Sequence, residues 1–187
     1  QAAAAAYVSL EDFVELQVAS AADAPRQEWS DGVVYAMSRG TPEHGSLSSR
    51  ITIALGTALP SDCQLYSGDT MLFIEAAHLA TYADALVICG PLETITVRKN
   101  GKSLGQAVTN PVVVVEVLSE STERYDRDGK FQAYKQIPSL REYVLVSQRA
   151  QRLEVYRRRE ERWLLDEAGA GEALRLESID VALSVDE

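Results

Sequence analysis

The sequence predicts an α/β fold: a β-sheet of mixed strand direction flanked by α-helices, with antiparallel strands added in the C-terminal part. Three observations carry this. Val112-Val113-Val114-Val115 is apolar at every position, so both faces of that strand need cover, as in a central strand between two layers. Thr41-Pro42 is followed by Leu47, Ile51, Ala54, Leu55 and Ala58 at helical spacing. Helical and strand-like segments also alternate along the chain: helix, strand, helix, several strands, helix, strands. The 187 residues, 46% of them hydrophobic, suffice for one real core. We expect a single domain over residues 1–187, with Gln1 to Ala6 as a tail outside the fold.

Each element has a local reason. Tyr7 to Val18 reads as a helix whose N-terminus is marked by Ser9 and Asp12, with Leu10, Phe13, Val14 and Leu16 as its apolar contacts. Residues 21–27 read as a loop. Trp29 to Met37 reads as a hairpin arm, because Asp31-Gly32 is a turn pair beside the strand formers Val33, Val34 and Tyr35. Thr41 is placed as an N-cap and Pro42 as the first helical residue, and Pro60 lies past the end of that helix. Strands are expected at Gln64 to Tyr66, Thr70 to Glu75, Ala83 to Ile88 and Val112 to Leu118, with Asn100-Gly101 marking a loop. A second long helix is expected from Asp126 to Gln136, stopped by Pro138. Tyr143 to Val146, Leu153 to Tyr156 and Arg162 to Leu165 are further strands, the last two paired. Arg157-Arg158-Arg159, followed by Glu160-Glu161, reads as a solvated turn between them.

Composition narrows the classes. The apolar runs are too short to span a bilayer, which takes roughly 20 residues, so no membrane partner is expected. No charged segment precedes an apolar one, which excludes a recognisable signal peptide and points to a cytoplasmic protein. Cys63 and Cys89 could form one disulfide but read better as two buried thiols. No Cys/His spacing suggests zinc. The formal net charge of -10 runs against tight nucleic-acid binding, which draws on Lys and Arg.

The residues with chemistry converge on three positions. Asp84 opens the apolar strand Ala85-Leu86-Val87-Ile88, and Glu116 adjoins the four valines. A carboxylate there is costly unless something positive meets it. A hard divalent cation such as Mg²⁺ or Mn²⁺ answers that need, since Mg²⁺ takes one or two carboxylates and fills its shell with water and phosphate oxygens. Lys130, one turn after Asp126, could stabilise the charge that develops in phosphodiester hydrolysis. The alternative for each residue alone is plain: a solvated strand-end acid, or a surface lysine paired with Asp126 at i,i+4. His44, at a helix start, could contact a phosphate or make a local hydrogen bond. Tyr134, one turn after Lys130, could orient it.

Pro111 to Thr122, with its Val-Val-Val-Val-Glu-Val-Leu-Ser core, is followed by Tyr125-Asp126-Arg127, Lys130-Phe131, Tyr134 and Ile137-Pro138-Ser139-Leu140-Arg141-Glu142-Tyr143. This pattern resembles the Uma-two (Uma2) family of restriction endonucleases, in the PD-(D/E)XK nuclease superfamily. Glu28-x-x-Asp31-Gly32-x-x-Tyr35-Ala36-Met37, His44 and Gly68-Asp69 agree with it, and the resemblance runs from Tyr7 to Leu165. It implies a restriction-endonuclease-like fold and a metal-dependent endonuclease acting on DNA. Asp84 and Glu116 would be metal ligands and catalytic residues, Lys130 the catalytic lysine moved from strand to helix, and Glu28 an assisting acid. Position 118, where the standard motif has lysine, is Leu118, and the family's Pro-Asp pair is Ala83-Asp84. The rival reading is a nuclease fold kept as a non-catalytic binding or regulatory protein, in either case with a homodimer as a possible state.

Overall fold

The computed structural model describes residues 7–20, 25–37 and 40–186; the expected tail at residues 1–6, and residues 21–24 of the expected loop, lie outside them. Helix α1 (Leu10–Ala19) starts where the Ser9 side chain accepts from the Asp12 amide. Strands β1 (Gln27–Ser30) and β2 (Val33–Ala36) are joined by Asp31 and Gly32, both at positive φ, the turn whose twist suits a hairpin. Helix α2 (Pro42–Ala58) has Pro42 in its first turn and Thr41 as N-cap, accepting from the His44 amide.

Then come β3 (Cys63–Ser67), β4 (Leu72–Ile74), a 3₁₀ turn (Glu75–Ala77), β5 (Leu79–Thr81), β6 (Ala85–Cys89), β7 (Thr94–Lys99), β8 (Lys102–Val108) and β9 (Val113–Leu118). The expected helix at Asp126 to Gln136 is instead a composite. It consists of α3 (Glu123–Tyr125), a π-helical turn (Asp126–Lys130) and α4 (Phe131–Tyr134). Strands β10 (Glu142–Ser147), β11 (Arg152–Arg159), β12 (Arg162–Gly169), β13 (Ala173–Leu176) and β14 (Val181–Ser184) complete the chain.

The strands divide into two six-stranded sheets and one two-stranded ribbon. The first sheet runs β2-β1-β5-β4-β8-β7, the second β12-β11-β10-β9-β6-β3. In the second, β9 and β10 are parallel and the other neighbours antiparallel, so the mixed direction is realised. A parallel pair needs a crossover, and the composite helix supplies it. The added C-terminal antiparallel strands are β11 and β12. Every residue of β9 is buried, as its valine run requires.

Packing follows the alternation of side chains. Val113, Val115 and Val117 join Ile51 and Leu55 of α2 and Leu176, Val181 and Leu183 of the ribbon. Val114 and Leu118 face the opposite way, with Leu86, Phe131, Tyr134 and Tyr143, and with Leu72, Ile74 and Leu79 of the first sheet. The two sheets therefore share one core, and α1 covers the far face of the first sheet through Phe13 and Val14, against Trp29 and Val97.

Three further readings are corrected. Asn100-Gly101 joins the hairpin β7–β8, both residues at positive φ, and is not a loop between other elements. Arg157-Arg158-Arg159 belongs to β11, and the turn falls after it. Cys63 and Cys89 form a disulfide and are not free thiols: they lie directly opposite each other on β3 and β6. Among the described residues no helix is long and apolar enough to cross a membrane.

Candidate active site

Antiparallel register puts two carboxylates on one face. Ala85 pairs with Val115 and Leu86 with Val114, so Asp84, one step before β6, comes opposite Glu116. The Val117 amide donates to Asp84 Oδ2 at 2.7 Å, which fixes the aspartate beside β9. Both acids line one cavity of about 1240 Å³, together with Glu28, His44, Tyr125, Asp126 and Lys130. The 32 residues between Asp84 and Glu116 are closed by strand pairing, not by local sequence.

Lys130 reaches this cavity from the crossover helix. An α-helix advances 3.6 residues per turn, so steps of four residues drift by about 40° each. The wider π turn resets that drift, and Asp126, Lys130 and Tyr134 are all buried. Lys130 Nζ donates to Glu116 Oε1 at 2.9 Å and lies 3.6 Å from Asp126 Oδ1. The Tyr134 hydroxyl donates to the same Glu116 oxygen at 2.7 Å. Tyr134 thus orients Glu116 directly. Glu28, on β1, accepts from the Thr81 hydroxyl at 2.9 Å. His44, in the first turn of α2, sits with Nε2 3.3 Å from Asp84 Oδ2, and the Ser48 hydroxyl donates to Asp84 Oδ1 at 3.2 Å.

The charge balance is uneven. Burial pushes the Glu116 carboxyl up to about 8, helped by the nearby Asp126 and Asp84 carboxylates and opposed by Lys130. Burial raises Asp126 as well. Burial disfavours the Lys130 charge, yet Glu116, Asp126 and Glu28 outweigh it and hold the lysine protonated. Asp84 is pulled down despite its burial, by His44 and the Val117 amide, and the Asp84 hydrogen bond raises His44 in return. Four carboxyl groups therefore face one lysine and one histidine. One carboxylate oxygen, Asp126 Oδ1, is buried without a hydrogen-bond partner.

All six positions singled out from sequence, Glu28, His44, Asp84, Glu116, Lys130 and Tyr134, converge on this cluster. From sequence Asp126 reads as the i,i+4 partner of Lys130 and a part of the family pattern, not as a site residue, whereas it is 2% exposed and lines the same cavity. Its signal was the i,i+4,i+8 series of Asp126, Lys130 and Tyr134. Ser48 carried no signal, and Tyr125 entered only through the family pattern. Among the described residues no group of three or more His, Cys, Asp or Glu side chains is drawn together tightly enough to hold a metal ion as it stands.

This arrangement of sheets, crossover and site is a restriction-endonuclease-like nuclease fold. It matches a solved structure from Anabaena variabilis described as "a putative nuclease belonging to DUF820", with TM-score 0.71 and 15% identity over 96% of either chain. The chain belongs to the Uma2 family, whose model, described as "Putative restriction endonuclease", matches residues 10–186. An uncharacterized protein of Synechocystis sp. is 35% identical over 163 residues, covering 86% of this chain and 82% of its own. A second from the same organism is 31% identical over 148 residues, covering 76% and 78%.

Proposed function

We propose that this protein is a divalent-metal-dependent endonuclease that hydrolyses DNA phosphodiester bonds. The observation that carries the reading is the pairing of Asp84 with Glu116 on one face of the sheet, with the Lys130 ammonium between Glu116 and Asp126. The donor set fits a hard cation. Asp84 and Glu116 are two carboxylates in a water-accessible cavity, which is the protein share that Mg²⁺ or Mn²⁺ commonly takes. The Asp126 oxygen that lacks a hydrogen bond and the excess of carboxyl groups mark a cluster that is short of positive charge.

A bound Mg²⁺ or Mn²⁺ would supply charge stabilisation at the phosphorus and a more acidic water. The residues do the rest. Tyr134 keeps the Glu116 carboxylate in one orientation through its hydroxyl. The Val117 amide and Ser48 hydroxyl do the same for Asp84. Lys130 offers a fixed ammonium to the negative charge that grows on the phosphoryl oxygens, or to the attacking water. Glu28 adds negative charge that keeps Lys130 protonated. His44, in the first turn of α2 and beside Asp84, would donate to a phosphate oxygen.

The second reading, a non-catalytic nuclease fold that binds or regulates, draws on one observation. Among the described residues that line the cavity, the basic side chains are Arg26, His44 and Lys130. Arg26 is committed to Asp69 and the Gly68 carbonyl, and Lys130 to Glu116. That leaves little for a DNA backbone. Incubation of supercoiled DNA with the protein and Mn²⁺ separates the two. We expect cleavage that EDTA abolishes and that falls at least 100-fold in Glu116→Gln, a loss on the scale of one preorganised transition-state contact. No cleavage over a panel of DNA and RNA substrates would favour the second reading.

A further inference from the structure

We infer that Asp126 is a positioning residue that receives the Lys130 ammonium when a cation takes Glu116. The inference rests on the metal-dependent reading above. Lys130 Nζ stands 2.9 Å from Glu116 Oε1, so the ammonium and a cation at Glu116 would share one carboxylate. A cation at the other oxygen of this carboxylate repels the ammonium and favours its movement away from Glu116. Its available destination is defined. Asp126 Oδ1 lies 3.6 Å from Nζ, ion-paired but just beyond hydrogen-bond reach, and it is buried without a hydrogen bond. A shift of under about 1 Å would convert that ion pair into a hydrogen bond.

The surroundings fit such a handover. Lys130 is 4% exposed, so its ammonium cannot retreat into solvent as a surface lysine would. The Tyr143 hydroxyl donates to the Asp126 carbonyl at 3.1 Å, which pins the π turn and leaves the side-chain oxygen unused. Tyr134 continues to donate to Glu116, so the carboxylate keeps its aim after the lysine leaves. A simple i,i+4 ion pair would be exposed and mutually saturated; this one is buried and half-made. A buried oxygen without a hydrogen bond is costly, and a role in one of two states of the site accounts for it.

Isothermal titration with Mn²⁺ tests the inference on the full chain. Asp126→Asn keeps the shape and removes the charge that draws the lysine across. We expect its Mn²⁺ affinity to fall on the order of 10- to 100-fold, the usual cost of losing a group that supports metal ligands. In the Lys130→Met background the same Asp126→Asn change should have no further effect, because there is no ammonium to receive. A loss that persists in that background would mean that Asp126 acts on the cation directly, and would overturn the handover. Equal affinity in the unmodified chain and Asp126→Asn would overturn this inference and leave the metal site standing. No Mn²⁺ binding by the unmodified chain would overturn both. A crystal of the unmodified chain soaked in Mn²⁺ needs no variant. Lys130 Nζ should be within hydrogen-bond distance of Asp126 Oδ1, and a lysine still on Glu116 beside a bound ion would refute the proposal.

Discussion

Two buried glutamates on neighbouring strands, Glu116 of β9 and Glu142 of β10, are held in opposite ways. Glu142 is saturated. It accepts from Arg157 Nε at 3.0 Å, from the Glu177 and Ser178 amides at 2.9 and 3.1 Å, and from the Ser178 hydroxyl at 2.5 Å. Glu154 of β11 is similar, gripped by Arg127 through two nitrogens and by Arg152. Glu116 receives two donors on one oxygen, from a lysine and a tyrosine, and faces a cavity lined by four more acids, Glu28, Asp69, Asp84 and Asp126. The saturated carboxylates tie the ribbon and the crossover helix to the second sheet. Arginine suits that task because its fork satisfies a carboxylate bidentately. The under-satisfied one keeps capacity for a ligand. Hydrogen-bond saturation, more than burial, separates an acid that serves the fold from one that serves the site.

The sharpest way to break this comparison is to truncate the saturated acid. Glu142→Ala leaves Arg157 Nε and the Glu177 and Ser178 amides without this acceptor, while Arg157 keeps Asp166, Glu177 and the Arg175 carbonyl, and should cost about 1–3 kcal/mol per unsatisfied group in urea unfolding. Cleavage per folded molecule should hardly change. A Glu142→Ala protein of full stability would mean that saturation contributes nothing to the fold.

Reduction of the Cys63–Cys89 disulfide probes the edge of the same sheet. The link closes a loop of sequence separation 26, and opening it should lower stability by roughly 3 kcal/mol on the chain-entropy account. Because β3 is an edge strand, Mn²⁺ affinity should persist in the reduced protein. Loss of metal binding on reduction, with the fold intact, would show that the site depends on that edge.

The pH dependence probes the under-satisfied acid itself. Glu116 binds its proton more tightly in the folded chain than at its ordinary value of 4.5, with a folded value near 8. Folded molecules therefore hold the extra proton between these values, and stability falls as pH rises from about 4.5 to 8. His44 is also raised, and its contribution is present below its ordinary 6.5 and lost as pH rises through the folded value. Glu116→Gln should flatten the decline in a urea series across this window. An identical slope in that variant would assign the proton to another group. Cation binding at Glu116 should release a proton, so Mn²⁺ affinity should rise over the same range.

Local signals were legible in the sequence and pairings were not. Ser9, Thr41-Pro42 and Asp31-Gly32 act within a few residues, and their helices and hairpin form where those residues place them. The valines of β9 required cover on both faces and found it. Which strands join which sheet depends on contacts across the chain, so the division into two sheets was hidden. The ribbon β13–β14 was missed because its strands are only four residues long, too short for an alternation to stand out. The same non-locality hid the disulfide, which depends on the β3–β6 register. In the site, Asp84, Glu116 and Lys130 were readable as a motif. The burial of Asp126 was legible only as the i,i+4,i+8 series with Lys130 and Tyr134, a spacing that a solvated helix face shows as well.

The central claim is that Asp84 and Glu116 form one cation site. Anomalous diffraction from a Mn²⁺-soaked crystal tests it most directly. The account predicts one strong peak coordinated by both carboxylates, in the cavity lined by Glu28, His44 and Lys130. A strong peak elsewhere, or no peak at saturating Mn²⁺, would contradict it.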